Sequence, residues 1–588
     1  MATRRRIFKK YLIAMAGLSG AAVTFQTLNP NSPPSSTNSP FINGIIRSSR
    51  ALLTITSSVV DYKYSLYGFN PDSDEYRLAL SKVHLRSAKR ILTMCDANKG
   101  IYVKAGQFVA AIRQVPKEYS TSLSSLQDQA VPCQFEAIKD VLLRNLGPNF
   151  SEIFFSFDEQ PVAAASIAQV HHAVLKDHQE VAVKVQYPGL EYQMKFDLAT
   201  MSFLSKSVEL DLIKHKRMIA YLYLHRVWAL WESGCRAVVV VHHWHSADTW
   251  TAACRLFPEY RFQWLVSEFE KSIASELDFI AEAKNMEKTG KNFNNNCMVK
   301  VPHVFWELTT KQVLTMQFCR GHKVDDLDFL KQRGLSPVKV AKVLAEVFAE
   351  MIFIHGFLHG DLHPGNILVS PEGKNGFSLV LLDFGICKHL DDDFRLKYCQ
   401  LWEALVVMDS TKIQQIGEYF GVGKYSRYFP VIFTGRTIDS KSALGRGMSA
   451  EEKKNLKQEL KSLKMEDISS FMESLPADFL TVLRTDGLLR SLISKLGAPL
   501  RVRLLAYAEY ALYGLSLRVD SKFDSAIEVM LSRFKTGLRY IQLRLLFGIV
   551  EFVSWLENIK QSSTRRSKNL LASAGYAVRN LYRPLLTT

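Results

Sequence analysis

The sequence offers little support for a disulfide-rich, zinc-binding or repeat protein. It has only 8 cysteines in 588 residues, and no two of them form a C-x-x-C pair. A disulfide framework or a structural zinc site needs closely spaced cysteines, so we expect neither. No internal repeat is evident, which argues against a solenoid or propeller. The apolar fraction of 47% is ordinary for a folded globular chain of two or three domains.

Acidic residues are absent from the N-terminus, where the first one is Asp61. An apolar run, Tyr11 to Phe25, follows a basic cluster made of Arg4, Arg5, Arg6, Lys9 and Lys10. A basic, Ser-rich and acid-free start is typical of a mitochondrial transit peptide, because the matrix-negative potential draws a positive helix. A secretory signal is the alternative. The run is shorter than the ~20 residues of a spanning helix, so we expect a cleaved segment or a short anchor.

Lys and Arg outnumber Asp and Glu by 17, which gives a formal net charge of +17. Such a surplus predicts anionic partners, which are nucleotide, nucleic acid or acidic lipid. The basic residues are not gathered into one block except near the two ends, and there is no aromatic and basic platform. We therefore expect nucleotide and an anionic membrane surface as partners, together with possible inner-membrane proteins, and no nucleic acid.

The pattern along the chain predicts an α+β protein. Helical periodicity runs from Asp74 to Leu146, and β-branched alternation over residues 151–185 predicts two strands around a small-residue loop. VPHVFWELTT and KQVLTMQF are strand-like, Val338 to His355 is a long helix, and ILV with FSLVLLDFG is a hairpin. After Asp391 the pattern is almost wholly helical. The order of helices, a small sheet and more helices is typical of an α+β body with a mainly helical second lobe.

The most informative motif is HGDLHPGNILV followed by LLDFG. Asp361 and Asn366 have the D-x-x-x-x-N spacing of a kinase catalytic loop, and Asp383 opens a D-F-G sequence after the hairpin. Phosphoryl transfer needs Mg²⁺ ions that bridge phosphate oxygens, which a carboxylate and an amide oxygen can hold. We therefore expect Asn366 and Asp383 to bind metal and Asp361 to lie near the attacking hydroxyl.

A lysine on a predicted strand supports the same chemistry. Lys184 in VAVK matches the kinase strand lysine that contacts the α- and β-phosphates. The loop before it lacks the expected G-x-G-x-x-G and has AAASIAQVH instead. Alanine lacks the conformational freedom of glycine, so this loop is expected to cradle a nucleotide differently. Its predicted nucleotide contacts are Ala163, Ala164, Ala165 and Ser166.

These motifs resemble those of the aarF-domain (UbiB-like) family of atypical kinases, which has an alanine-rich loop in place of the glycine-rich one. Lys104, Gly106 and Gln107 match its KxGQ motif, and Glu276 and Asp278 match its ExD motif. The resemblance covers about residues 75–520 and five motifs in order. The mitochondrial N-terminus and the segment LSSLQDQAVP look closest to the aarF-domain-containing kinase 1 branch. The resemblance implies an atypical protein-kinase-like two-lobed fold with an N-terminal KxGQ extension and a mainly helical C-lobe.

The resemblance also implies roles for particular residues. Glu282 would be the ion-pair partner of Lys184, and Gln317 and Phe318 would lie in the hinge that holds the adenine. The family commonly has Glu where Gln317 stands. The KxGQ helix would cover the active site against protein substrates, and the ExD residues would couple to it. ATP or ADP with Mg²⁺ would be the ligands.

Two functions remain open from the sequence. The first is a mitochondrial atypical kinase or ATPase that acts on a small or lipid-related molecule, or that uses ATP turnover to support mitochondrial lipid and cristae homeostasis. The alternative is a kinase-independent scaffold, or pseudokinase, that maintains the organisation of the inner membrane. Both predict a mitochondrial protein associated with the inner membrane.

A segment between the strand lysine and Glu282 departs from the family pattern. Residues 213–255 hold half of the tryptophans and a histidine-rich stretch, His242, His243 and His245. This segment is either an intron read into the gene prediction or a genuine insertion that faces a membrane or partner. A metal site is disfavoured, because adjacent histidines point apart.

The C-terminal stretch GLRYIQLRLLFGIVEFVSWLENIK is mainly apolar, but charges interrupt it. A spanning helix would not carry these charges cheaply, so we expect a packed helix or an interfacial amphipathic one.

The predicted organisation is a series of six segments. They are a targeting segment or short anchor (1–28), a linker (29–73), a helical extension (74–150), a kinase N-lobe with the insertion 213–255 (151–320), a C-lobe (321–520) and C-terminal helices (521–588).

Overall fold

A computed structural model describes residues 40–70, 73–111, 115–128, 132–209, 273–372, 376–438, 448–462 and 474–522, with single residues between these ranges and up to residue 552. The predicted targeting segment and the insertion 213–255 lie outside the described residues. The chain divides into two units. The first contains residues 1–335, 359–388 and 463–492, and the second contains 336–358, 389–462 and 493–588.

The elements alternate in the order expected of an α+β protein, so the predicted fold class is confirmed. They are α1 (Pro40–Leu66), α2 (Asp74–Asn98), α3 (Ile101–Ala111), α4 (Lys117–Leu123), α5 (Phe135–Leu146), β1 (Phe154–Phe157), β2 (Ala163–Ala164), β3 (Ala168–Leu175), β4 (Glu180–Gln186), α6 (Leu190–Glu209), α7 (Phe279–Asn292), β5 (Val299–Lys300), β6 (Val313–Gln317), β7 (His322–Lys323), α8 (Leu327–Gln332), α9 (Pro337–Glu350), β8 (Phe357–His359), β9 (Ile367–Ser370), β10 (Ser378–Leu381), β11 (Cys387–His389), α10 (Asp392–Val407), α11 (Ser410–Tyr419), α12 (Phe429–Thr434), α13 (Ala450–Ser462), α14 (Ala477–Lys495) and α15 (Leu500–Lys522).

The larger sheet of the first unit is antiparallel, in the order β1-β3-β4-β6, with β2 paired to β3. Its strand β4 is central, and alternate residues point to opposite faces. Val181, Val183 and Val185 pack with Ile138 and Leu142 of α5 in a buried core. Lys184 therefore points to the other face of the sheet.

A smaller sheet follows in the order β5-β10-β9-β7. β9 and β10 form the predicted hairpin, with Leu379 opposite Val369, and β10 runs parallel to β5. This pairing, with the bond from Asn285 Nδ2 to the Phe384 carbonyl at 3.0 Å, ties residues 359–388 to the first unit. The predicted lobe boundary at residue 320 stays a prediction.

Two sequence expectations need correction. VPHVFWELTT is not a strand, since it contains only an isolated bridge at Val304 and a 3₁₀ turn, Trp306–Leu308. Residues 29–73 were predicted to be a linker, but α1 occupies Pro40–Leu66. Buried Arg47 of α1 donates from Nε to Asp197 of α6 at 3.0 Å, and this ion pair holds the helix in place.

Aromatic packing forms the core of the second unit. The predicted long helix is α9, which continues as a π-helical turn, Met351–His355, and ends at Gly356 in the left-handed conformation. Phe353 stacks on Tyr398 with ring centroids 5.5 Å apart, and Trp402 contacts Tyr507 edge-on at 5.0 Å. None of the helices that the structure describes is long and apolar enough to cross a membrane.

Candidate active site

Lys184 lies at the centre of a buried ion pair. Its Nζ is 2.8 Å from Glu282 Oε1 and 3.0 Å from Oε2. Glu282 sits in the first turn of α7, which begins where Asp278 caps the amides of Ile280 and Ala281. The ion pair implied by the family resemblance is therefore present. Asp278 of the ExD motif has a local role, which is to fix where α7 starts.

Burial opposes the charge on both members of this pair. Burial raises the pKa of Glu282, and the nearby Lys184 offsets this only in part. Burial alone would lower the pKa of Lys184, but Asp383 and Glu282 outweigh it and the pKa is raised. Two charges inside a protein are costly unless their geometry is good, so this arrangement is better explained by function than by stability.

The HGDLHPGN segment forms a loop closed by its own polar groups. His359 accepts the Asp361 amide at Nδ1 and contacts the Leu382 carbonyl through Nε2, at 3.2 and 3.0 Å. Asn366 ends a 3₁₀ turn and donates Nδ2 to Asp361 Oδ2 at 3.3 Å. The two motif residues are thus adjacent, as their spacing predicted. Sequence reasoning gave no role to His359, which is buried and fixes the loop.

Asp383 brings the third carboxylate to the same place. It follows β10 with a φ of 55°, and Phe384 beside it is fully buried. Asp383 Oδ1 lies 3.3 Å from Lys184 Nζ. Burial would raise the pKa of Asp383, but Lys184 and Lys104 lower it to about 2. This carboxylate is therefore ionised at neutral pH.

The KxGQ motif on α3 reaches the same cluster. Lys104 Nζ lies 3.0 Å from Glu276 Oε1 and 3.5 Å from Asp361 Oδ2. Burial lowers the pKa of Lys104, but the nearby carboxylates outweigh it and the net shift is upward. Gly106 is required by packing, because a Cβ there would come within 2.3 Å of Leu126 Cδ1. Gln107 donates to the Leu126 carbonyl at 3.0 Å. These contacts hold Lys104 against Asp361.

The alanine-rich segment forms a tight hairpin beside the sheet. Ala163 and Ala164 form β2, the Ala165 amide donates to the Ala168 carbonyl at 2.8 Å, and Ser166 lies in the turn. Tyr187 Oη also donates to the Ala165 carbonyl at 3.0 Å. The loop is therefore fixed by the protein's own hydrogen bonds rather than left open by glycine.

Two main-chain amides of the predicted hinge already donate hydrogen bonds within the protein. The Gln317 amide donates to the His303 carbonyl at 2.8 Å, and the Phe318 amide donates to the Glu180 carbonyl at 3.1 Å. Both amides are therefore taken by the protein's own carbonyls and are not open to an adenine.

Arg484 of α14 is the basic residue that sequence reasoning missed. Burial raises the pKa of Asp361, but Lys104 and then Arg484 lower it, and the net shift is downward. The guanidinium lies over the Phe108 ring of α3 at 4.9 Å. No local motif marks Arg484, because its partners are far away in sequence.

No group of three or more His, Cys, Asp or Glu side chains within the described ranges could hold a metal by itself. The oxygen-rich set of Asp361, Asn366 and Asp383 has two carboxylates and an amide. This composition suits Mg²⁺ shared with phosphate oxygens rather than a self-contained metal cage.

Known proteins carry the same sequence pattern. Residues 125–231 and 246–417 match the ABC1 atypical kinase-like domain. The unmatched residues 232–245 fall within the predicted insertion. The solved complex of Rv3197 with erythromycin, from Mycobacterium tuberculosis, is 21% identical, covers 74% of this chain and 99% of that chain, and has a TM-score of 0.42.

Curated relatives cover most of the chain. AarF domain-containing protein kinase 1 of Xenopus tropicalis is 33% identical over 458 residues, which are 77% of this chain and 79% of that protein. AarF domain-containing kinase 1 of Drosophila melanogaster is 32% identical over 493 residues, which are 83% of this chain and 85% of that protein. With these identities and coverages, the chain belongs to the ABC1, or aarF-domain, family of atypical kinases.

Proposed function

We propose that this protein binds ATP or ADP with Mg²⁺ and transfers or hydrolyses the γ-phosphate at the mitochondrial inner membrane. One observation carries the proposal. Lys184 Nζ lies within 3.3 Å of both the buried Glu282 and the partly exposed Asp383, and Asp361 joins this charged cluster through Lys104 Nζ at 3.5 Å. Burying the Lys184–Glu282 pair costs stability, and phosphoryl transfer is the chemistry that uses this set of charges.

Each residue then has a defined task. Asp383 and Asn366 supply oxygen ligands for Mg²⁺, whose charge neutralises the phosphates when bound. Lys184, oriented by Glu282, contacts the α- and β-phosphates. Asp361 lies beside the acceptor hydroxyl or water as its base. The chain's own contribution is to hold these groups in place before the ligand arrives.

The walls of the nucleotide site come from two segments. The alanine-rich turn, Ala163 to Ser166, covers the phosphates, and its internal hydrogen bonds keep it rigid. Main-chain groups of the segment around Gln317 and Phe318 hold the adenine. Because these are main-chain groups, replacement of the Gln317 side chain is expected to have little effect on binding.

The position of Lys104 favours a small or lipid-related acceptor. It pairs with Asp361 at 3.5 Å, so α3 covers the place where a peptide hydroxyl would approach. A small molecule, or water in an ATPase cycle, needs less space. We propose that this turnover supports mitochondrial lipid and cristae homeostasis, with anionic lipid and inner-membrane proteins as partners.

The direct test is thermal unfolding of the full-length protein with ADP or ATP, with and without Mg²⁺. A ligand at a hundredfold excess over Kd stabilises the folded state by about 2.7 kcal/mol. We expect a Mg²⁺-dependent rise in Tm that is lost in Asp383→Asn. The control, Asp328→Asn, changes an exposed carboxylate and is expected to keep the rise. Retained tight Mg–ATP binding in Asp383→Asn would contradict the metal role.

The same Lys104 contact favours a second candidate, a kinase-independent scaffold. An ion pair on Asp361 could keep the site inactive permanently instead of gating it. Rescue with Asp361→Ala in cells that lack the protein separates the two functions. Full rescue of mitochondrial morphology would favour the scaffold, and failure to rescue with normal protein levels would favour turnover.

A further inference from the structure

Arg484 lies beside the candidate active site, close to Asp361. Its guanidinium carbon is 4.9 Å from the centre of the Phe108 ring of α3. Phe108 stands four residues after Lys104, so the two side chains lie on one face of that helix. Lys104 Nζ is 3.5 Å from Asp361 Oδ2, which brings the carboxylate to the same face. Arg484 and Asp361 therefore approach the KxGQ helix at the same place.

Packed elements hold this arginine in position. Helix α14 is tied to β11, the strand that follows the D-F-G sequence, because Lys388 Nζ lies 3.3 Å from Asp478 Oδ1. Phe479 of α14 is fully buried and anchors the same turn. On the other side of the contact, Phe108 packs against Phe269 with ring centroids 5.5 Å apart. The guanidinium is thus presented by a packed helix rather than by a loop.

The hydrogen-bond donors of Arg484 are not used by the part of the protein that the structure describes. A guanidinium carries five N–H donors. Nε of Arg484 is buried and forms no hydrogen bond, and no carboxylate of a described residue lies within ion-pair distance of the guanidinium. Arg490, on the same helix, pairs with Asp486 instead. A buried donor without an acceptor costs stability, so a ligand that accepts from Arg484 would explain its position.

The charge of Arg484 acts on the acceptor side of the site. Burial raises the pKa of Asp361, and Lys104 and then Arg484 lower it. Burial also raises the pKa of Asp383, but the basic side chains that lower it are other ones, which are Lys184, Lys104 and His359. In the proposed function Asp361 lies beside the acceptor hydroxyl, and Asp383 binds Mg²⁺. Arg484 is therefore placed to meet the acceptor rather than the nucleotide.

We propose that Arg484 binds a phosphate group of the acceptor, next to the hydroxyl that Asp361 would activate. A guanidinium is always charged, and its planar fork of donors matches two phosphate oxygens at once. The Phe108 ring beneath it favours the cation and fixes its plane. The proposal rests on the proposed function for the role of Asp361. A soluble alcohol phosphate and a phospholipid headgroup both carry a phosphate beside a hydroxyl, so both fit a small or lipid-related acceptor.

Calorimetric titration of the full-length protein tests this proposal. The probe is glycerol 3-phosphate, added in the presence of Mg²⁺ and the non-hydrolysable ATP analogue AMP-PNP, which occupies the place of the γ-phosphate. Glycerol is the neutral probe, and monomeric lysophosphatidylglycerol carries the phosphate on a lipid. We expect a phosphate probe to bind and glycerol not to bind. The tighter of the two phosphate probes distinguishes a soluble source from a lipid one.

Variants of Arg484 then assign the binding to this side chain. Arg484→Gln should weaken binding of the phosphate probe by about tenfold or more, because it removes the charged donors. Arg484→Met removes the same charge but keeps an apolar side chain against Phe108, and it replaces the first variant if that one does not fold. Arg484→Lys keeps a charge without the fork, so we expect an intermediate affinity.

The matched control is Arg333→Gln. Arg333 is exposed, and its guanidinium carbon lies 5.8 Å from the centre of the Phe329 ring. This variant therefore removes a charge and a ring contact elsewhere, and its affinity for the phosphate probe should equal that of the wild type.

The outcomes separate this proposal from the proposed function. Where AMP-PNP binds, the proposal is overturned if Arg484→Gln and Arg484→Met bind the phosphate probe as tightly as the wild type. It is also overturned if the wild type binds neither phosphate probe, or binds glycerol equally well. If AMP-PNP does not bind but the phosphate probe alone binds in a way that needs Arg484, the nucleotide chemistry fails and the phosphate site remains. Binding of neither would overturn both.

Discussion

The two units bury different kinds of side chain. In the part of the first unit that the structure describes, four carboxylates are buried, which are Asp197, Glu276, Glu282 and Asp486. No carboxylate is buried among the described residues of the second unit, whose core is aromatic. Its buried Arg436 donates to the Leu405 carbonyl at 3.3 Å. Aromatic burial stabilises a fold, whereas buried charge costs stability. Two of the buried carboxylates, Glu276 and Glu282, pair with the lysines of the candidate site, and the other two pair with arginines.

The largest expected effect tests the aromatic side of this comparison. Trp402 is fully buried against Phe353, Phe433 and Tyr507. Trp402→Ala should lower the free energy of unfolding by about 3–5 kcal/mol, because it removes a large buried side chain and leaves a cavity. Denaturant unfolding measures this loss. The nucleotide rise in Tm should persist in the fraction that remains folded.

The control for Trp402 is on the same helix. Val407 ends α10 and is 69% exposed, so Val407→Ala should change stability by less than about 0.5 kcal/mol. Equal losses in the two variants would mean that the aromatic cluster does not hold this unit together.

The sequence predicts a contact when the two partners lie close together along the chain, and its local pattern misses a contact when they lie far apart. Asp361, Asn366 and Asp383 lie within one loop and hairpin, so their spacing alone predicted that they meet. The Lys184–Glu282 pair came from a family resemblance, and the structure contains it. Their catalytic and ligand-binding roles stay predictions.

The missed features depend on partners that no local pattern reveals. Helix α1 was assigned to a linker because of the Pro and Ser residues before it. What holds it is Asp197, 150 positions after Arg47. Arg484 approaches Asp361 and Phe108 from a third, distant segment. Periodicity detects an apolar face, but it does not detect a single long-range ion pair.

The second-largest expected effect tests the buried charges of the first unit. In Glu282→Gln, Lys184 loses its main partner but keeps Asp383, 3.3 Å away. We expect a loss of about 3 kcal/mol, at the lower end for a broken buried pair. The double variant Lys184→Met/Glu282→Leu should regain much of this stability, since apolar residues can replace a buried pair, yet it should not bind nucleotide. Both quantities come from denaturant unfolding and the Mg²⁺-dependent rise in Tm.

Glu287, one turn along the same helix, is the matched control for Glu282. Its side chain is 38% exposed, and it accepts a hydrogen bond from Trp306 Nε1 at 2.7 Å. Glu287→Gln keeps an acceptor oxygen for that bond, so stability and nucleotide binding should both stay close to wild type. A double variant no more stable than Glu282→Gln would mean that the Lys184–Glu282 ion pair itself stabilises the fold. The contrast between the aromatic core of the second unit and the buried charges of the first would then fail.

The smallest effect concerns a charge of the first unit outside the site. Asp61 of α1 accepts from Arg86 and Arg90 of α2, each at 2.7 Å, and the hydrogen bond from Arg86 is the main reason why its pKa lies well below the usual range. A lowered carboxyl pKa gives stability that is present above the ordinary value and lost as pH falls. Asp61→Asn should therefore cost about 1 kcal/mol at neutral pH, and less as the pH approaches 3. Nucleotide binding should not change.

Asp74→Asn, in an exposed pair with Arg77, is the control and should cost less than half as much. Loss of nucleotide binding in Asp61→Asn would show that a charge far from Lys184 also serves the site. The Lys184 cluster would then not be the only group of charges in this unit that nucleotide binding needs.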